Sequence, residues 1–174
     1  MPVRGSTRTL RAASGADDIG LARTLFAEYA ASLEIDLCFQ GFGRELATLP
    51  GAYAPPAGRL LLAGAPGEAL GCIALRPLAV TEKSSGQGVA GVSTGVGEVK
   101  RLYVRPESRG GGWGRKLAEA LIEDARAIGY RELKLDTLHS MGEARALYAQ
   151  LGFRECARYY ENPHPAVVYM SLGL

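Results

Sequence analysis

The chain has 174 residues, of which 47% are hydrophobic, and this is enough apolar material for the core of one domain. Its 20 Lys and Arg residues nearly balance its 18 Asp and Glu residues, so no strong overall field for binding nucleic acid or acidic membranes is predicted. The three cysteines lack metal-site spacing, and no segment reaches the roughly 20 apolar residues that span a bilayer. We therefore predict one cytoplasmic domain over residues 1–174 that contains no metal.

The N-terminal half predicts a helix followed by a hairpin. Residues 1–13 alternate Arg with small residues and are expected to be flexible. Ser14–Leu33 places apolar residues three and four positions apart, which predicts an amphipathic helix. Gly41–Leu49 predicts a second, short helix. Arg59–Ala65 and Ala69–Leu75 are short apolar runs separated by a Gly- and Pro-containing turn, a pattern typical of a β-hairpin.

The C-terminal half predicts alternating strands and helices. Residues 81–97 are rich in Gly and Ser and are predicted to form a mobile loop inside the domain. The predicted strands are Glu98–Val104, Glu132–Leu138, Phe153–Ala157 and Val167–Leu172, and the predicted helices are Gly112–Ile128 and Ser140–Leu151. Ser140 and Glu143 have the spacing of a capping box, which predicts that the last helix starts there.

A glycine-rich loop joins the predicted strand Glu98–Val104 to the helix that follows it. Glycines let the backbone turn sharply and approach a ligand closely. The start of a helix offers unpaired N–H groups and a partial positive charge, and Arg109, Arg115 and Lys116 add formal charge. The loop therefore predicts a phosphate or pyrophosphate site, although a tight turn whose glycines serve only packing has the same composition.

Two common phosphate motifs do not fit this loop. A Walker A loop ends in Gly-Lys-Ser/Thr, whereas Lys116 follows an arginine and precedes a leucine. A dinucleotide fingerprint needs G-x-G-x-x-G, whereas Arg115 occupies the place of the third glycine. The pattern that fits is Arg-x-x-Gly-x-Gly, formed by Arg109, Gly112 and Gly114.

This pattern resembles the coenzyme A loop of the GNAT (GCN5-related N-acetyltransferase) family, which lies between the fourth strand and the third helix of its fold. The segment Ala144–Phe153, which contains a Leu-Tyr pair and ends in Leu-Gly-Phe, is similar to that family's second motif. The resemblance implies an α/β fold with a mixed, mostly antiparallel sheet of six or seven strands flanked by helices, opened near Leu102–Val104. It also implies an enzyme that transfers acetyl from acetyl-coenzyme A (acetyl-CoA) to a primary amine in a ternary complex, without a covalent enzyme intermediate.

The same resemblance implies which residues bind the cofactor. The backbone of the strand would pair with the pantetheine arm, and the amide of Tyr103 or Val104 would polarise the thioester oxygen. The residues implied in cofactor binding are Leu102, Tyr103, Val104, Arg109, Gly110, Gly111, Gly112, Trp113, Gly114, Arg115 and Tyr148. One position departs from the family, because Met141 stands where many members have an asparagine that contacts the pantetheine.

Two residues are the implied catalytic candidates. Tyr148 takes the position of the general acid that protonates the coenzyme A sulfur, and a phenol with a pKa near 10 is protonated at neutral pH. The alternative is that Tyr148 packs as core beside Leu147 and Leu151. Glu98 takes the position of a carboxylate that accepts a proton from the amine, directly or through water. The alternative is an edge carboxylate paired with Lys100.

Several other polar residues are weaker candidates. His139 and His164 are expected to have surface, capping or turn roles. Tyr159, Tyr160 and Glu161 are expected either to shape the acceptor pocket or to fill the last hairpin.

One alternative chemical route and two alternative functions remain open. A covalent route would need one of Cys38, Cys72 and Cys156, and none lies in the matched motifs. The same fold could be a non-catalytic sensor or scaffold that binds coenzyme A. A nucleic-acid-binding domain would use a basic patch of Arg101, Arg105, Arg109, Arg115 and Lys116. The acceptor is left open among small amines, antibiotics, amino acids and protein termini, and a homodimer is possible.

Overall fold

A seven-stranded mixed sheet organises the described part of the chain, which in this computed structural model comprises residues 9–33, 35–38, 41–78 and 95–174. The strands are β1 (Leu10–Ala12), β2 (Arg59–Ala63), β3 (Gly71–Pro77), β4 (Val96–Val104), β5 (Glu132–Leu138), β6 (Arg154–Glu155) and β7 (Val167–Gly173). Their order across the sheet is β1-β2-β3-β4-β5-β7-β6, and β4 and β5 are the one parallel pair. The predicted mixed, mostly antiparallel sheet is confirmed.

Four helices cover the two faces of this sheet in the described ranges. They are α1 (Gly15–Ser32), α2 (Phe42–Thr48), α3 (Trp113–Ile128) and α4 (Gly142–Gln150). One core cluster joins α3 and Tyr148 of α4 to the sheet, and the other joins α1 to the opposite face. The apolar stripes supply these contacts: Leu25 and Phe26 of α1 and Leu117 and Leu121 of α3 are fully buried. None of these helices combines the length and apolarity needed to cross a membrane.

The main departures from the sequence expectations lie at three places. Leu10–Ala12, placed in a flexible N-terminal segment, instead form β1 and pair with Leu61–Ala63 of β2. Strand β4 begins at Val96, two residues before the expected start, while residues 81–94 of the predicted loop lie outside the described residues. The capping box at Ser140 is wrong, because Met141 is the N-cap of α4 and no side chain caps it.

Strands β4 and β5 diverge after a short parallel stretch. Their pairing covers only Val96–Glu98 against Glu132–Lys134, so the rest of β4 is unpaired on that side. On its other side β4 carries a bulge, since Cys72 faces Tyr103 whereas Ala74 faces Lys100. One extra residue in β4 reverses the alternation of side chains beyond the bulge. Divergence and bulge together open the cleft at the centre of the sheet.

Candidate functional site

A groove of about 670 Å³ runs along the C-terminal half of β4. Its floor is the strand Leu102–Val104, and its walls come from Tyr29 of α1, the loop before α3, and the segment that begins α4. A smaller cavity of about 50 Å³ lies deeper in the sheet, between β4 and β5. Leu102, Met141 and Ala144 line both spaces, so the two form one cleft.

The glycine loop lies at one end of the groove with its backbone accessible. Gly110 and Gly112 have φ values of +82° and +73°, a conformation that residues with a Cβ rarely adopt. An added Cβ on either glycine would meet no described atom within 4 Å, so open space lies beside this backbone. The first helical hydrogen bond of α3 runs from the Lys116 amide to the Gly112 carbonyl, which leaves the amides of residues 113–115 without helical acceptors. The loop fits an anionic group.

The free edge of β4 presents backbone donors to the same groove. The Arg105 amide donates to the carbonyl of Leu70, the residue just before β3, at 2.9 Å. Because backbone groups alternate along a strand, the amide of Tyr103 also faces β3, and those of Leu102 and Val104 face the gap beside β5. Of the two amides predicted to polarise a carbonyl, Val104 is therefore the one directed at the cleft.

Tyr148 lines the inner cavity from α4. The residue is buried, and its ring meets the edge of Phe153 with centroids 5.5 Å apart. Its hydroxyl makes no hydrogen bond to any described residue. Because no fully buried polar side-chain atom in the described ranges lacks a partner, this hydroxyl is accessible from the cavity. Burial raises the pKa of Tyr148 above its ordinary value of 10.0, and the nearby Tyr29 and Asp136 add to the effect. The hydroxyl is thus a protonated donor facing the cleft, while the ring also serves the core.

Glu98 belongs to a buried ionic network. Its carboxylate accepts from Arg76 Nε at 2.7 Å and from the Tyr159 hydroxyl at 3.0 Å, and Lys100 Nζ lies 3.5 Å away. Lys100 is therefore a partner of Glu98, as one alternative anticipated, although the side chain of Glu98 is buried rather than exposed at an edge. The carboxylate adjoins a separate pocket of about 210 Å³ and does not line the inner cavity.

Asp136 of β5 is a cleft residue that the sequence analysis missed. It lines the inner cavity together with Tyr148, and its oxygens accept from Lys100 Nζ at 2.9 Å and from the Tyr160 hydroxyl at 2.8 Å. Burial alone would raise the pKa of Asp136, but the charge of Lys100 and the two hydrogen bonds outweigh burial and hold it below 3.8. A charged carboxylate therefore stands beside the cleft at neutral pH. Tyr159 and Tyr160, which were expected to shape the acceptor pocket or fill the hairpin, hold the two carboxylates.

The Asp136 network should leave a signature in the pH dependence of stability. Because its folded pKa lies below the unfolded value, its stabilising effect is complete above about pH 4 and is lost as the pH falls through the folded pKa. Asp136→Asn should lower the free energy of unfolding by about 3 kcal/mol at neutral pH, because it removes one anionic partner of the buried Lys100. The difference from wild type should shrink at pH 3 in urea unfolding.

The control for this measurement is Asp124→Asn. Asp124 pairs with Arg59 at 3.6 Å but is 38% exposed, so its loss should cost at most about 1 kcal/mol. An Asp136→Asn deficit of equal size at pH 3 and pH 7 would contradict the ionic role of Asp136.

The charged residues predicted beside the loop have different surroundings. Arg109 lines the groove, and its Nε donates to the Val104 carbonyl at 3.0 Å. Arg115 turns away from the groove and contacts Glu119 and Gln150. Trp113 lines the groove and packs on the core below α3, with Lys116 Nζ 4.6 Å from its ring centroid. Arg109 is therefore the arginine that the groove presents to a ligand.

Met141 lies where the groove meets the inner cavity. Its sulfur accepts a weak hydrogen bond from the Thr137 hydroxyl at 3.7 Å. The residue that departs from the family pattern thus still faces the cleft, and it offers a flexible apolar surface instead of an amide.

The remaining candidates lie away from the cleft or are otherwise engaged. The arginines of the basic patch do not form one surface, because Arg101 pairs with Glu45 and Arg105 with Glu28. Cys72 is buried, and the described cysteines do not line the groove or the inner cavity. The two histidines take part in backbone contacts near β7, including the bond from the Ala166 amide to His164 Nδ1.

Comparisons with known proteins identify what this arrangement resembles. Residues 24–153 match the model of the acetyltransferase (GNAT) family. An uncharacterized N-acetyltransferase of Schizosaccharomyces pombe is 39% identical over 158 residues, which covers 90% of this chain and 89% of that protein. A Klebsiella pneumoniae structure described as an acyl-CoA N-acyltransferase is 28% identical with a TM-score of 0.63, covering 98% of this chain and 99% of its own. A Salmonella typhimurium structure with its cofactor acetyl-CoA has the same fold, with a TM-score of 0.68 at 20% identity, covering 97% of this chain and 94% of its own.

Proposed function

The chain belongs to the GNAT acetyltransferase family, and from this premise we propose that it transfers an acetyl group from acetyl-CoA to a primary amine within a ternary complex. The observation that carries the proposal is a single cleft that joins the accessible glycine loop, the edge of β4 at Val104 that β5 does not pair with, and the hydroxyl of Tyr148. A held thioester, a polarised carbonyl and a proton donor are what this reaction requires.

Acetyl-CoA would lie along the groove, over the strand Leu102–Val104. The amides at the start of α3 and the side chain of Arg109 would hold the pyrophosphate, where helix dipole and charge act together. The free edge of β4 would pair with the pantetheine amides, as an added strand would. Acetyl-CoA bound there supplies an activated acetyl group as a thioester.

Val104 and Tyr148 would act on the thioester in two different ways. The Val104 N–H would stabilise negative charge that develops on the thioester oxygen. When nitrogen bonds to the acetyl carbon and the carbon–sulfur bond breaks, the Tyr148 hydroxyl would donate its proton to the departing sulfur. The raised pKa of Tyr148 keeps this proton in place until the thiolate forms.

The proton lost by the amine goes to Glu98 in this proposal. Both oxygens of Glu98 already have partners, and the residue does not line the inner cavity. The proton would therefore reach Glu98 through water or its hydroxyl partner Tyr159. The acceptor would enter beside Asp136, and its carboxylate, although paired with Lys100, would accept a hydrogen bond from the amine.

Calorimetric titration of the purified protein with acetyl-CoA tests the proposal. We expect saturable binding with a stoichiometry of one, followed by release of free thiol and a mass gain of one acetyl group on an amine from a screened set. Binding without any transfer would favour the rival sensor or scaffold function. Absence of binding by folded protein would overturn the proposed function.

A further inference from the structure

A buried ion pair lies directly over the bulge in β4. The side chain of Arg101 is 3% exposed, and it donates to the Glu45 carboxylate of α2 from Nε at 3.0 Å and from a terminal nitrogen at 2.6 Å. Its guanidinium lies 5.2 Å from the centroid of the Phe42 ring. Two elements distant in sequence are thereby tied together at the point where the sheet opens.

Arg101 has an unusual backbone conformation. Its φ is +59°, and among the described residues it is the one non-glycine residue with a positive φ. This conformation is costly for a residue with a Cβ, and it persists only where the surroundings hold it. The carbonyl of Arg101 also accepts a hydrogen bond from the Cys72 thiol at 3.3 Å, so backbone and side chain are both restrained.

Glu45 is itself held from the other side. Its carboxylate accepts from the Tyr53 hydroxyl at 2.8 Å, and the Tyr53 ring packs on Phe26 in the core with centroids 5.9 Å apart. Burial would raise the pKa of Glu45, but Arg101 and Tyr53 hold it below 4.5. The carboxylate is thus ionised and fixed relative to the sheet.

The position of the bulge decides which amides face the cleft. The two residues Arg101 and Leu102 lie opposite the single residue Ile73 of β3. If the extra residue were accommodated C-terminal to Val104 instead of at Arg101, the backbone donors between the two positions would point to the opposite side of the strand. The orientation of the Val104 N–H toward the gap therefore depends on the bulge staying N-terminal to it, at Arg101.

We propose that the ion pair between Arg101 and Glu45 is a positioning device that fixes the bulge and so aims the Val104 amide at the acyl carbonyl. The inference rests on the proposed function, because it assumes that a thioester lies in the cleft. Arg101 and Glu45 are positioning residues, since the group that meets the carbonyl is the backbone amide. The side chains act by holding one of two possible backbone registers.

Two substitutions and one control test this role. Glu45→Gln keeps the shape of the side chain but removes its charge. Arg101→Gly removes the guanidinium while easing the positive φ, so it is expected to fold even if other changes at this position do not. The control is Asp18→Asn, which breaks a part-buried pair with Arg11 at 2.9 Å between α1 and the distant edge strand β1.

The readout is the carbonyl stretch of bound acetyl-CoA labelled with carbon-13 at the acetyl carbonyl, measured by difference infrared spectroscopy. In wild type and Asp18→Asn the frequency of this stretch should be lower than in water, because the bound carbonyl is polarised. In Glu45→Gln and Arg101→Gly the stretch should return toward the solution value. The preference for acetyl-CoA over coenzyme A should fall by about tenfold, the effect of one lost hydrogen bond.

The outcomes separate this inference from the proposed function. If wild type does not bind acetyl-CoA, the proposed function fails and the inference falls with it. If wild type binds but both variants keep its carbonyl stretch, the positioning role is overturned while the proposed function stands. If both variants lose acetyl-CoA and coenzyme A affinity equally with an unchanged stretch, the pair serves only stability and the inference is again overturned.

Discussion

Tyr148→Phe should lower kcat for acetyl transfer by about 100-fold to 10,000-fold, the usual contribution of a positioned general acid. The affinity for acetyl-CoA should change little, because the hydroxyl acts when the thiolate departs and not when the substrate binds. Phenylalanine keeps the ring that packs against Phe153, so the melting temperature should stay near that of wild type. Steady-state kinetics with an accepted amine, paired with calorimetry for acetyl-CoA, gives both quantities.

The matched control is Tyr130→Phe. Tyr130 is also buried, and its hydroxyl donates to the Ala57 carbonyl at 2.8 Å, outside the residues that line the cleft. This variant should lose about 1 kcal/mol of stability and keep its kcat. If Tyr148→Phe keeps kcat within a factor of about three while Tyr130→Phe behaves as expected, Tyr148 is a core residue and another donor protonates the sulfur.

The glycine loop could be predicted from local sequence, and Tyr148 could be identified through the resemblance to a family motif. A strand, a run of glycines and an amphipathic helix in succession predict a loop with exposed amides, and this prediction does not require contacts with distant segments. The position of Tyr148 follows from one helix with a strong motif at its end. The order of helix, hairpin, strand and helix could likewise be predicted from apolar periodicity.

The residues that the sequence did not identify acquire their environment from distant segments. Asp136 lies on the polar face of an alternating strand, and its contacts with Lys100 and Tyr160 come from distant parts of the chain. Arg101 has a left-handed backbone conformation, and its side chain binds Glu45, which is 56 residues away. Strand β1 has only three residues and forms because the edge of β2 is available to it. The spacing of apolar residues along the sequence does not predict such long-range contacts.

Gly112→Asp should weaken acetyl-CoA binding by at least about 100-fold. A carboxylate here would lie beside the backbone amides proposed to hold the pyrophosphate. Repulsion between unit charges about 4 Å apart is about 4 kcal/mol near a protein surface, before screening by salt. The positive φ should cost about 1 kcal/mol of stability, but the protein should still fold, because an added Cβ meets no described atom within 4 Å and a negative charge suits the start of α3.

The variant Gly112→Asn distinguishes the effect of the added charge from the conformational penalty of replacing this glycine. Asparagine has nearly the same shape as aspartate and accepts the φ of +73° at Gly112 about as well, so both variants bear the same conformational penalty. Only the aspartate variant should lose most of its affinity, and raising the salt concentration should restore part of it. If both variants lose affinity equally, the loop depends on backbone shape and not on a nearby anion. If neither variant loses affinity in calorimetry, the pyrophosphate does not bind at the start of α3, and the proposed orientation of acetyl-CoA in the groove is wrong.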